Sequence, residues 1–181
     1  MRTQTIVVCM VLGVLTMACS RNSEYSSLKQ AERFIDAFYS WDAERLSQTM
    51  NAPDDAARVL YYQGWAQAGN YTSELRRPCE ISDPDSVVCA VTVTDDFGRA
   101  MGYTATDTFI LKFSGSEIVG VTFAGDDPPI FAELQAWIGE FHPEIYAGPC
   151  KDLFAGGTTP GDCARAVAGA AVEFMVSREA N

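Results

Sequence analysis

The chain has 181 residues and a formal net charge of −11, with a single histidine and 48% hydrophobic residues. That is enough apolar material for one domain with a proper core. The acidity excludes nucleic acid and anionic lipid surfaces as natural partners, and one histidine excludes catalysis that relies on a pair.

From the N-terminus, Met1-Arg2 supplies a positive charge, Ile6 to Leu15 is apolar, and Ala18 precedes Cys19. This anatomy is that of a secretory signal, shorter than the roughly 20 apolar residues of a spanning helix. Leu15-Thr16-Met17-Ala18-Cys19 resembles the bacterial lipobox, in which the cysteine carries a lipid after cleavage. Thr16 departs from the pattern, which has an aliphatic residue there. The expectation is a signal over 1–18 and a polar tether over 19–27 lipidated at Cys19. Export would then place the domain on the non-cytoplasmic side of the cell or outer membrane. A secreted protein with an incidental Cys19 is the alternative.

Residues 28–40 place Ala31, Phe34, Ile35 and Phe38 at helical spacing. Asp42 suits the cap of a short second helix through Leu46 and Met50. Asp54 and Asp55 suit the start of a third, running from Ala56 to Ala68 with Val59, Leu60, Tyr62 and Trp65 as its apolar side. The period then changes. Residues 71–82, 86–95, 101–113 and 117–124 read as four antiparallel strands, separated by Asp83-Pro84-Asp85, Asp95-Asp96-Phe97-Gly98 and Ser114-Gly115-Ser116. Helical spacing returns from Phe131 to Phe141 and again in a last helix that Thr159 can cap and Pro160 can open.

Four cysteines remain outside the signal and anchor. Cys79 and Cys89 flank the first hairpin turn, and Cys150 and Cys163 bracket a Gly- and Thr-rich loop, so two local disulfides are expected. Neither pair has the spacing of zinc ligands, and no metal site is expected. No cofactor is expected either: Gly156-Gly157 neither follow a strand nor carry the lysine of a phosphate loop.

Helices, a strand meander and helices again make an α+β domain with a curved sheet. The segment Ala31-Glu32-Arg33-Phe34-Ile35-Asp36-Ala37-Phe38-Tyr39-Ser40-Trp41-Asp42 is similar to the opening helix of the nuclear transport factor 2-like superfamily, which includes SnoaL-like and ketosteroid-isomerase-like proteins. The resemblance implies a cone-shaped α+β fold over 28–127, its open end often a pocket. Residues 128–181 are then a C-terminal helical extension packed on the same domain. Members of the superfamily include isomerases, dehydratases and cyclases, as well as binding proteins without chemistry, so the resemblance selects no single function.

An enzyme of the ketosteroid-isomerase kind needs a carboxylate base in an apolar pocket and a donor for an oxyanion. Asp107 is the candidate base, because alternation puts it on the face of Phe109, Leu111 and Phe113. Tyr61, Tyr62 and Tyr103 are the candidate donors. The competing reading has Asp107 solvated at the mouth of the cone or bonded to Arg76, Arg77 or Arg99. Tyr61, Tyr62 and Trp65 either stack on a flat ligand or fill the core; Tyr103 and Phe109 complete the candidate ligand contacts. His142, before Pro143, reads as a helix-end residue, and the pairs Asp95-Asp96 and Asp126-Asp127 read as turn residues. The leading expectation is a non-catalytic, membrane-anchored envelope lipoprotein that binds a small apolar ligand or a partner protein. The alternative is an enzyme acting on an apolar carbonyl compound. Radiolabelled palmitate should enter the wild-type chain in a bacterial host and be lost in Cys19→Ser; label that survives the substitution refutes the anchor.

Overall fold

The computed structural model describes residues 24–155 and 157–180. The expected signal and Cys19 lie outside the described residues. Helix α1 spans 24–38, so the last residues assigned to the tether are already helical. It buries Ala31, Phe34, Ile35, Ala37 and Phe38 as one stripe. Helix α2, Ala43–Ser47, starts where Asp42 accepts the Arg45 N–H, and α3, Pro53–Ala68, carries Asp54 and Asp55 in its first turn. Acidic residues there complement the positive helix end.

The sheet is antiparallel, curved and unclosed, in the order β1–β3–β4–β5, with β2 also on β3. Strands β1 (Thr72–Arg76) and β2 (Glu80–Asp83) pair with the two halves of β3 (Ser86–Thr94). They are one edge strand broken at Arg77-Pro78-Cys79, since proline has no N–H to give a ladder. Each half carries its own register shift. Strand β4 (Ala105–Ser114) pairs along β3, and β5 (Glu117–Gly125) pairs along β4. The far edge of β5 is occupied by the chain entering α3: Asn51 N–H donates to the Ile118 carbonyl, Val121 N–H to Asp55 Oδ2, and Arg58 to the Val121 carbonyl.

The segment from Asp95, expected as a turn, forms helix α4 (Asp96–Met101). Asp95 caps it by accepting the Gly98 N–H, and Gly102 ends it at φ 77°, a conformation that favours glycine. The third expected strand therefore begins at Ala105 rather than at Met101.

Three helices complete the fold: α5 (Pro129–Phe141), α6 (Pro143–Ala147) and α7 (Pro160–Glu179). Thr159 precedes α7 as expected, but its hydroxyl donates to the Pro149 carbonyl instead of accepting from the helix. Helix α7 packs on α3 and α4. At its start, Pro160 sits where a β-carbon on Gly64 would approach within 2.8 Å, so glycine in α3 permits this close crossing. The inward sheet face (Cys89, Val91, Val93, Phe109, Leu111) and α1 share one core, in which Phe109 meets Phe34 and Phe38 edge-on at 5.8 and 4.9 Å.

Both expected disulfides are present, Cys79–Cys89 and Cys150–Cys163, across sequence separations of 10 and 13 residues. The second ties the loop after α6 to α7. Replacing Cys150 and Cys163 together by Ala should lower stability by about 3 kcal/mol, the loop-closure value for a bridge of this span, measured by urea unfolding against the wild type.

Candidate functional site

Strand β4 places Asp107 on the inward face, with its α-carbon paired to those of Val91 and Gly125. The residue is 3% exposed. An isolated buried carboxylate is costly, and here two phenols offset the cost. Tyr39, just past α1, donates its hydroxyl to Oδ2 at 2.8 Å, and Tyr62 of α3 donates a short hydrogen bond to Oδ1. Three elements distant in sequence thus meet on one carboxyl group. None of the arginines weighed as partners is involved: Arg76 pairs with Glu32 and Asp36, and Arg99 with Asp96.

The arrangement continues beyond Asp107. The Tyr71 ring stands edge-on to Tyr62 at 6.3 Å and lines the same cavity as Asp95. Asp95 is 4% exposed and holds the Gly98 N–H at 2.6 Å. Two buried carboxyl groups, Asp95 and Asp107, thus border the same cavity as Tyr62 and Tyr71. Asp127 lies beyond the end of β5, where it accepts from Tyr103 at 3.5 Å.

Around these groups is a cavity of about 180 Å³, comparable to engineered apolar cavities of about 150 Å³ that accept benzene. Its walls include Tyr62, Trp65, Tyr71, Phe97 and Phe123, with Asp95, Asp107 and Asp127 among the polar groups. Tyr62 and Phe123 stack at 4.6 Å. The C-terminal segment supplies the rest: Tyr146, Leu153, Phe154 and Val167 all line the cavity. Phe154 has φ 56° and Asp152 φ 55°, a conformation that costs a non-glycine residue on the order of 1–3 kcal/mol. Their turn is held by the Ala155 and Gly157 N–H groups, both donating to the Asp152 carbonyl. It delivers the Phe154 ring against Tyr61, Tyr62, Trp65 and Phe123.

Of the residues singled out in the sequence, Asp107, Tyr62, Trp65 and Tyr103 line this cavity together. Phe109 is fully buried behind it as core, packed on Phe38 and Tyr62. Tyr61 lies outside the lining, its ring against Phe154 and its buried hydroxyl without a hydrogen-bond partner among the described residues. His142 stands between α5 and α6 with Glu144 and Glu173 at 3.2 Å, a helix-end residue as expected. Four polar residues of this neighbourhood were not singled out as candidates: Tyr39, Tyr71, Asp95 and Asp127. Asp95 did carry a signal, because it continues, one residue past β3, the inward alternation of Val91 and Val93.

Burial sets the electrostatics. It pushes Asp107 up to about 6, with Tyr62 and Tyr39 holding it back and the nearby Asp127 and Asp126 charges adding to the rise. Asp95 is pushed up to about 7, again by burial, against the Gly98 N–H. Asp127 is raised by burial too. Tyr39, Tyr62 and Tyr71 are all raised, chiefly by burial, so at neutral pH they remain donors. What the site offers is two buried acids, Asp95 and Asp107, that ionise near neutrality within an aromatic chamber.

No family model, no curated protein and no solved structure matches the chain.

Unfolded, Asp95 and Asp107 would lose their protons near pH 4. Folded, they keep them to about 7 and about 6. The folded state binds more protons in that window, so their stability contribution is full below about pH 4 and is lost as pH rises through about 6 to 7. The wild type should melt several degrees higher near pH 5 than near pH 8, and the Asp95→Asn/Asp107→Asn pair should flatten that difference. A melting profile that is unchanged in the double variant would contradict the assignment.

Proposed function

We propose that the chain is an exported, lipid-anchored binding protein whose domain captures a small, largely apolar molecule in the aromatic cavity. The cavity itself carries this reading, since a concave, ring-lined space with a few convergent polar groups is the usual form of a small-molecule site. The element order and the curved sheet are compatible with the cone of the nuclear transport factor 2-like superfamily, with residues 128–181 as an extension roofing its open end. Two disulfides support export into an oxidising compartment. Among the described residues no helix is long and apolar enough to cross a membrane; attachment in this reading comes from the lipid on Cys19.

Binding without chemistry is favoured by the state of Asp107. Both of its oxygens already accept phenol hydrogen bonds, which lowers the basicity that proton abstraction needs. A second reading has one observation in its favour: Asp107 sits at about 6 in an apolar chamber, within the range useful to a general base. It would make the chain a ketosteroid-isomerase-like or SnoaL-like enzyme acting on an apolar carbonyl compound.

Residues 20–181, made in an oxidising compartment and exposed to a host lipid and metabolite extract, should retain a small molecule in native mass spectrometry. Ala105→Phe, which fills the cavity, should lose it. Retention unaffected by Ala105→Phe would place the ligand elsewhere, and a ligand-free mass in both would count against the cavity as a binding site. Turnover of the retained compound, abolished by Asp107→Asn, would favour the enzyme.

A further inference from the structure

The cavity's charge is one-sided. Asp95 at the end of β3, Asp107 in β4 and Asp127 after β5 converge on it, and among its described lining residues there is no Lys, Arg or His. Two cations lie outside the lining: Arg58, over Phe123 at 5.2 Å from the ring centre, is engaged by Asp55 and the Val121 carbonyl, and Arg99, which faces Asp95, is paired with Asp96. Burying acid groups without a positive partner is unfavourable, and a protein that needed only an apolar chamber could have built one without them.

From this we propose that the cavity takes a small organic cation, a protonated or quaternary alkylammonium, in preference to a neutral or anionic molecule. The proposal rests on the cavity being a ligand site, as above, and adds the class of ligand. Two independent features of the walls favour it. The rings of Tyr62, Trp65, Tyr71, Phe97, Phe123 and Phe154 line the cavity, and an ammonium group over the face of such a ring is attracted at short range. The three carboxyl groups supply the longer-range attraction, and a bound cation gives them a positive charge inside the cavity, where no lining residue supplies one.

A bare metal ion fits less well. Metal coordination gathers several oxygens within about 2.5 Å of one point, and the described residues contain no group of three His, Cys, Asp or Glu able to do that. An alkylammonium is large enough to touch dispersed carboxylates and ring faces together. A volume of about 180 Å³ suits a cation of benzene-like bulk.

Binding should couple to protons. Asp107 is faced by Tyr39 after α1, by Tyr62 of α3 and by Asp126 and Asp127 after β5; Asp95 is faced by Tyr71 before β1, Arg99 of α4 and Asp127. The phenols hold their protons throughout, so the acids alone change charge near neutrality. A cation of fixed charge should therefore bind more tightly as pH rises through about 6 to 7, where those acids ionise.

The test is calorimetric titration of residues 20–181 with choline, with its carbon isostere dimethylbutanol, and with the similarly shaped anion dimethylbutyrate. Choline carries a permanent charge, so any pH dependence belongs to the protein. Near neutral pH choline should bind at least about tenfold more tightly than the isostere, a difference of about 1.4 kcal/mol. The preference should shrink near pH 5. Asp107→Asn should weaken choline several-fold and spare the isostere; Asp127→Asn, at the exposed rim, tests the same expectation without touching the buried phenol bonds. Equal or tighter binding of the isostere or the anion would overturn the cation while leaving the cavity a ligand site. No binding of the three, with a compound still retained from the extract, would do the same. No binding and no retention would overturn both readings.

Discussion

The contact on which this molecule turns is the pair of phenol hydrogen bonds closing on Asp107. A carboxyl group at the inward face of a central strand would be hard to accommodate against Phe109 and the rings around it. Tyr39 reaches it from the end of α1 and Tyr62 from the middle of α3. The two bonds therefore fix how both helices sit on the sheet, as well as the state of the acid. Hydrogen bonds that satisfy a buried polar group are most costly to lose when only one partner is removed. That asymmetry makes the three residues a unit: the helices position the acid, and the acid holds the helices.

The C-terminal segment has a role beyond adding mass. Cys163, in the first turn of α7, holds Cys150, and between them the chain folds through the left-handed Asp152 and Phe154 to set a ring into the chamber. Pro160 rests on Gly64 of α3, the helix that also carries Tyr62 and Trp65. Floor and roof of the cavity are thereby fastened to the same helix. The site is then a property of the whole described fold rather than of the sheet alone.

Much of the architecture was legible because it rests on periodicities long enough to read. The four-strand order, the first three helices and both disulfide pairings follow from alternation, capping residues and local cysteine spacing. The inward aim of Asp107 came from simple alternation with Phe109 and Leu111. Less visible were features whose physical cause is short or distant. Helix α4 is six residues long, too brief to show a helical period, and its cap Asp95 was indistinguishable from a turn aspartate until the third dimension buried it. The break at Pro78 came from one missing N–H. Phe154 belongs to a glycine-rich loop without periodicity, and only the flanking cysteines hinted that it is pinned. Tyr39 and Tyr71 were hidden for another reason: each lies just outside a regular element, where sequence spacing says little about direction.

The two borders of the sheet also have a consequence. An open sheet normally exposes unpaired N–H and C=O groups that can recruit another strand. One border here is interrupted by Pro78, distorted twice, and fastened through Cys79 to Cys89. The other is interrupted where the Ile118 carbonyl and both Val121 backbone groups are taken by Asn51, Asp55 and Arg58. Neither margin offers the long, regular template from which intermolecular β-structure grows. The domain can therefore be held at high local density without its sheets joining end to end into fibres.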